Sequence, residues 1–260
     1  MNTSITAMDR LARIGLVTKG IVYLAIGALA FMAAFRIGGQ KENEADRTGA
    51  LELFEKTGGI WLLGLIAAGL ICYALWRVIQ AASGRGNSNS YKKRLRYFLS
   101  GLGYASIAIT AIRIILKQRK DDGDQNQQYA AELLSQPMGE WLVGIGALIF
   151  AAIGIYQVYY ALSKKYKKHV DTLNLHSNTA FVLLRMGKIG YLARGIVWLI
   201  LAFLLTRAAI YKNSYEAGGT GKAFEFVQDG FMGNYLLAAI GLGVAAYGIF
   251  AFTRARYERF

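Results

Sequence analysis

The sequence predicts an all-α integral membrane protein, with six transmembrane helices arranged as three two-helix repeats of parallel topology. A pseudo-threefold bundle is the simplest packing of such units. Three observations carry the prediction. Of the 260 residues, 55% are hydrophobic and 18% charged, whereas ordinary soluble domains are about a quarter charged. The apolar runs are long: neither Ile60 to Trp76 nor Trp141 to Leu162 contains a charge, and a hydrocarbon core of about 30 Å takes about 20 helical residues to cross. Finally, the charge alternates along the chain. Segments 1–19, 77–96, 163–194 and 254–260 together carry +16, and segments 36–59, 113–140 and 207–234 carry −2. This is the positive-inside asymmetry, which places both termini in the cytoplasm.

The six spans read as 15–35, 60–80, 96–116, 141–162, 189–210 and 234–253. The first follows Arg10, Arg13 and Lys19 and has the look of a signal peptide, but it matches the fifth span closely, which argues against cleavage. The second and fourth open on Trp61 and Trp141, and the sixth on Tyr235, as aromatic rings at a membrane interface would. The third carries Arg96 near its start and is the least regular. Strands are excluded by the lack of period-two alternation. Backbone in lipid must satisfy its own hydrogen bonds, which leaves helices. Cys72 is the only cysteine, so no disulfide within the chain is expected.

Internal repetition organises the whole chain. Ile14-Gly15-Leu16-Val17-Thr18-Lys19-Gly20-Ile21-Val22-Tyr23 aligns without a gap on Ile189-Gly190-Tyr191-Leu192-Ala193-Arg194-Gly195-Ile196-Val197-Trp198. The third span aligns Gly101 with Gly20 and Gly195, and Tyr104 with Tyr23 and Trp198. In the even spans, Gly59, Trp61, Gly64 and Trp76 match Gly139, Trp141, Gly144 and Tyr156, then Gly233, Tyr235, Ala238 and Phe250. Upstream of each lies a short acid-bearing stretch: Ala50-Leu51-Glu52, Ala130-Ala131-Glu132 and Ala223-Phe224-Glu225. The units are 1–86, 87–168 and 169–260. Each starts and ends on the basic side, unlike the inverted repeats of many transporters. A closed ring around a central cavity and a side-by-side stack fit this pattern equally well.

The run at 15–23 and 190–198, together with the Gly-x-Trp-Leu-x-Gly segments at 59–64 and 139–144, resembles the hallmark of a bacterial membrane-protein family. That family is built from three copies of a two-helix domain of unknown function, number twelve-oh-six in its series. The resemblance covers nearly the whole chain and departs at Ser100, which replaces the basic residue, and at Arg96, which stands where Gly15 and Gly190 do. It implies six helices in the plasma membrane and no activity.

Charges placed too deep are the most informative candidates. Arg194 and Arg207 are 13 residues apart, about 20 Å along a helix, so at least one must snorkel or be buried. Lys19 and Arg36, like Arg96 and Arg113, are separated by about 25 Å, which snorkelling nearly covers. Headgroup anchoring accounts for most of this pattern. The sharper expectation is that Arg113 and Arg207 face the bundle and pair with Glu132 and Glu225 of their own units, Met32 leaving Glu52 without that partner. Lys19 and Arg194 share the repeat position near the cytoplasmic end. Gly20, Gly101 and Gly195 are read as close-packing positions, as is Gly241-x-Gly243. Tyr23, Tyr104 and Trp198 lie one turn inside, where they pack between helices or cage a cation.

No catalytic set, cofactor motif or metal site is expected. His169 and His176 lack the ligands that would complete a zinc site. The spans hold no Asp, Glu or His, which proton relays use, and no proline to break a helix at a transport site. The basic surplus is a topology signal, so nucleic acid is not an expected partner. The expected function is therefore a non-enzymatic structural, lipid-interacting or accessory protein of the bacterial plasma membrane. Its partners would be anionic headgroups on the cytoplasmic side and a protein partner or second copy. A small-solute or ion channel or transporter, favouring anions through arginines near its mouth, is the alternative.

Overall fold

The computed structural model describes residues 7–83, 91–117, 125–163 and 177–258. Eight α-helices and three short 3-10 turns form, with no strand among the described residues. Six are long and apolar enough to cross a membrane: α1 (Ala7–Ala34), α2 (Arg47–Ser83), α3 (Tyr91–Ile115), α5 (Gly139–Leu162), α6 (Ser177–Tyr211) and α8 (Gly233–Tyr257). The remaining two, α4 (Gln125–Leu134) and α7 (Thr220–Gln228), are the acid-bearing stretches of units two and three. In unit one that stretch is continuous with the span, as the first part of α2, and Gly59 at φ +63° marks the break. Asp46 caps this helix, its Oδ1 accepting the Gly49 N–H at 2.8 Å. Asp46→Ala is expected to cost about 1 kcal/mol, read as a lower thermal midpoint of the purified protein.

The spans follow one another in an arc, α3–α2–α1–α8–α6–α5. Three of these neighbours are joined by one recurring crossing between units. A Cβ on Gly20 would lie 3.0 Å from the Gly248 carbonyl, one on Gly195 3.2 Å from the Gly154 carbonyl, and one on Gly101 3.3 Å from the Ala74 carbonyl. Ala74, Gly154 and Gly248 stand two residues before the aligned Trp76, Tyr156 and Phe250, so the three crossings are repeat-equivalent. Small residues bring the backbones together where lipid offers no hydrophobic drive. A second crossing joins the helices within a unit: a Cβ on Gly15 would fall 2.7 Å from Tyr73 Cα, and one on Gly190 2.7 Å from Tyr247 Cα.

Unit two lacks this second crossing. Arg96 replaces the glycine and Ile153 the tyrosine, and no packed interface joins α3 to α5 among the described residues. The three repeats thus form a ring open at one seam, rather than a closed ring or a stack. At the loop end, α7 and the first part of α2 plug the interior, burying Leu51 and Phe224 completely. These two plugs meet where α7 packs on the Glu42–Glu44 turn. The short helix α4 has Ala131 where they have Leu51 and Phe224. It stays peripheral, with Tyr129, Ala131 and Glu132 exposed.

The turns repeat as well. Arg36, Lys117 and Lys212, just past the first span of each unit, have φ of +53°, +52° and +51°, and Met138 and Met232 enter α5 and α8 at +65° and +56°. An L-residue in this region costs about 1–2 kcal/mol. Met232 is exposed and loses little contact if truncated. Met232→Gly should therefore raise stability by about 1 kcal/mol, seen as a higher midpoint in thermal unfolding.

Candidate functional site

Lys19 lies twelve residues into α1, about 18 Å from its start, and is 6% exposed. It does not snorkel. Its Nζ stands 5.2, 5.3, 5.4 and 6.0 Å from the ring centroids of Tyr247, Tyr73, Tyr104 and Tyr23, and donates a long 3.5 Å hydrogen bond to the Tyr73 hydroxyl. Arg194, its repeat equivalent, lies over Tyr247 and Tyr23, with Cζ 4.3 and 4.7 Å from the centroids. The aromatic cage read from the sequence thus exists, filled by the protein's own cations and built from Tyr23 and Tyr104 together with Tyr73 and Tyr247, which the repeats had not pointed to.

The rings continue along the arc. Tyr104 meets Tyr73 at 4.4 Å, Tyr23 meets Tyr247 at 4.9 Å, Tyr247 meets Tyr191 at 5.3 Å and Tyr191 meets Tyr160 at 4.8 Å between centroids, all edge to face. Edge-to-face packing sets the positive rim of one ring on the negative face of the next. Each of the six spans contributes one tyrosine, and the row begins on α3 and ends on α5, the two helices at the open seam. Trp198, expected beside Tyr23 and Tyr104, instead packs on Phe150 at 4.9 Å.

Two flanking arginines are locked. Arg77 donates to the Tyr73 oxygen from Nη2 at 2.6 Å and Nε at 3.0 Å, and to Gln80 Oε1 at 3.0 Å, while stacking 4.4 Å from Trp76. Arg254 grips Glu258 through Nε at 2.6 Å and Nη2 at 3.0 Å. Arg194 is different: among the described residues its guanidinium makes neither a hydrogen bond nor an ion pair. Lys19 forms no ion pair with a carboxylate among the described residues. Such uncompensated charge is expensive inside a membrane, and the cation–π contacts offset part of it.

The expected pairs at the loop end do not form. Arg207 Nη2 meets Glu216 Oε1 at 2.8 Å, and Glu225 pairs with Lys222 at 3.2 Å. The reason is the plug: α7 buries Phe224 and turns Glu225 toward its own helix, and the Ser214–Glu216 turn, absent from the repeat alignment, brings the nearer acid. Arg113 and Glu132 are both exposed and unpaired with each other among the described residues, since α4 stays peripheral. Gly20, Gly101 and Gly195 all lie at the crossings described above. Trp61, Trp141 and Tyr235 are exposed on the outside of the bundle. His169 and His176 lie outside the described residues, and no group of three metal-ligating side chains occurs among those described. Tyr73 and Tyr247, missed in the sequence, had a signal: each stands three residues before an aligned aromatic, with Gly15 or Gly190 in the facing helix.

Fold and site together define a multi-pass membrane protein made of a triplicated two-helix domain around a basic, phenol-rich interior. The chain belongs to the family described as Domain of Unknown Function (DUF1206), which matches it three times, at residues 14–84, 95–164 and 189–258. It is similar to the Uncharacterized protein YxxB of Bacillus subtilis (strain 168), with 30% identity over 256 residues that cover 96% of this chain and 91% of that protein. No solved structure matches it.

Proposed function

We propose that the protein is a non-enzymatic, lipid-interacting accessory component of the bacterial plasma membrane, with both termini cytoplasmic. One observation carries the reading: the row of tyrosines and cations inside the bundle has both its ends at the seam between α3 and α5. A site reached sideways suits a ligand that arrives within the bilayer. The charge asymmetry of the loops supports the orientation. Among the described residues Lys19 and Arg194 face phenol rings and pair with no carboxylate, which favours binding over chemistry.

A small-solute or anion channel is the second reading, favoured by the convergence of Lys19 and Arg194 on the same two rings. Toward the loop end, however, fully buried Leu29, Leu51, Leu63, Phe224 and Leu237 pack the interior, and an aqueous conduit needs polar lining. The test is native mass spectrometry of the protein released gently from its own membrane. Retained phospholipid or a stoichiometric protein partner supports the accessory reading. A chain that carries only a small solute, and passes that solute across vesicles, replaces it with the channel.

A further inference from the structure

We infer that Lys19 and Arg194 form a binding site for a phosphate group. This deepens the lipid-interacting reading and rests on it only for the source of the phosphate. Lys19 is almost wholly buried, and Arg194 is half-buried. Lys19 and Arg194 flank the same two rings, Tyr23 and Tyr247. Like charges so placed repel strongly in a medium of low dielectric, and a shared anion reverses the sign of that interaction.

The unused donors point the same way. Arg77 and Arg254 each direct their donors at protein oxygens. Arg194 points a planar fork of donors at none among the described residues, and that fork matches the oxygens of a phosphate. Lys19 adds a compact charge whose protein hydrogen bond is too long to be strong. Two cations over the same pair of rings suit a phosphate group, which carries one negative charge in a diester headgroup and up to about two as free phosphate. Tyrosine hydroxyls supply neutral donors around them. The phosphate comes from a lipid headgroup entering at the seam or from free phosphate.

The full chain in neutral detergent would be titrated with short-chain phosphatidylglycerol, the matching diacylglycerol and inorganic phosphate. Bound adducts are read by native mass spectrometry, and stabilisation by the thermal midpoint. Phosphatidylglycerol is expected to bind and raise the midpoint, and diacylglycerol to do neither. Lys19→Gln combined with Arg194→Gln should weaken binding by about tenfold or more, since a hydrogen bond to a charged group contributes about 1.5–3 kcal/mol. Arg194→Lys, which keeps the charge and loses the fork, should fall between. Arg256→Gln, exposed near the end of α8, should bind as the native protein does.

Binding of inorganic phosphate with the same sensitivity, and no gain from the acyl chains, would keep the site and identify free phosphate as its source, setting the lipid reading aside. Equal stabilisation of the native protein by phosphatidylglycerol and diacylglycerol would overturn the site whether or not the variants fold, while leaving a lipid-interacting protein in place. Phosphate binding unchanged in a folded double variant would overturn it too.

Discussion

Gly27→Val is expected to destabilise the protein by about 3 kcal/mol or more, at the top of the range for overpacking a rigid contact. A Cβ at Gly27 would lie 2.6 Å from both the Ala245 nitrogen and the Gly241 carbonyl, and one at Gly241 would lie 2.9 Å from the Gly27 carbonyl. The obstruction is backbone on the facing helix, so no side chain can turn aside. α1 and α8 would have to separate along the contact that joins units one and three, with Gly20 and Gly248 further along the same crossing. The chain supplies its own controls, since a Cβ on Gly64 or Gly144 meets nothing within 4 Å. Gly144→Ala should change stability by less than about 0.5 kcal/mol, with helix propensity favouring alanine. The check is the unfolding midpoint of each variant in one detergent. Equal midpoints for Gly27→Val and Gly144→Ala would contradict the close crossing.

Lys19→Met is expected to make the ligand-free protein more stable, by about 1–2 kcal/mol, and to remove its response to phosphate. Withdrawing an ammonium from water costs several kcal/mol even after relaxation. Four tyrosine rings share the one charge, and each centroid is 5 Å or more away, so their combined attraction falls short of that cost. Arg194 and Arg77 add repulsion. Methionine keeps the length and gains sulfur–aromatic contacts of about 0.3–1.5 kcal/mol. A site that is stabilised by losing its charge is one kept for binding, in line with the usual trade between stability and function. A loss of 2 kcal/mol or more in this variant would make the lysine structural and remove the main support for the phosphate site.

Much of the fold was legible because a membrane leaves few options. Backbone in lipid must be helical, the spans must be long and apolar, and loop charges follow the positive-inside bias, so six helices in three repeats could be read from composition and alignment. Gly20, Gly101 and Gly195 were legible for a related reason: only small residues let helices approach where lipid provides no drive. The candidate site was half legible. Lys19 and Arg194 stood out by depth, yet depth alone does not distinguish a lysine that snorkels from one that is caged. The pairing of Arg207 with Glu225 failed because ion pairs are set by distances of a few ångströms, which depend on how α7 seats and on a turn without repeat equivalents.

By itself the sequence determined the number of spans, their repetition, and the drift of unit two away from the others at Arg96 and Ser100. Only the tertiary structure decided that this drift opens the ring between α3 and α5, and that tyrosines of four separate spans gather around Lys19 and Arg194, with Tyr191 and Tyr160 continuing the row. The physical reason is that helix formation in lipid is local, satisfied within each segment, whereas the closing of a ring and the convergence of side chains depend on which helix faces meet. Those faces are chosen by contacts such as Gly15 on Tyr73, between residues 58 positions apart in the chain.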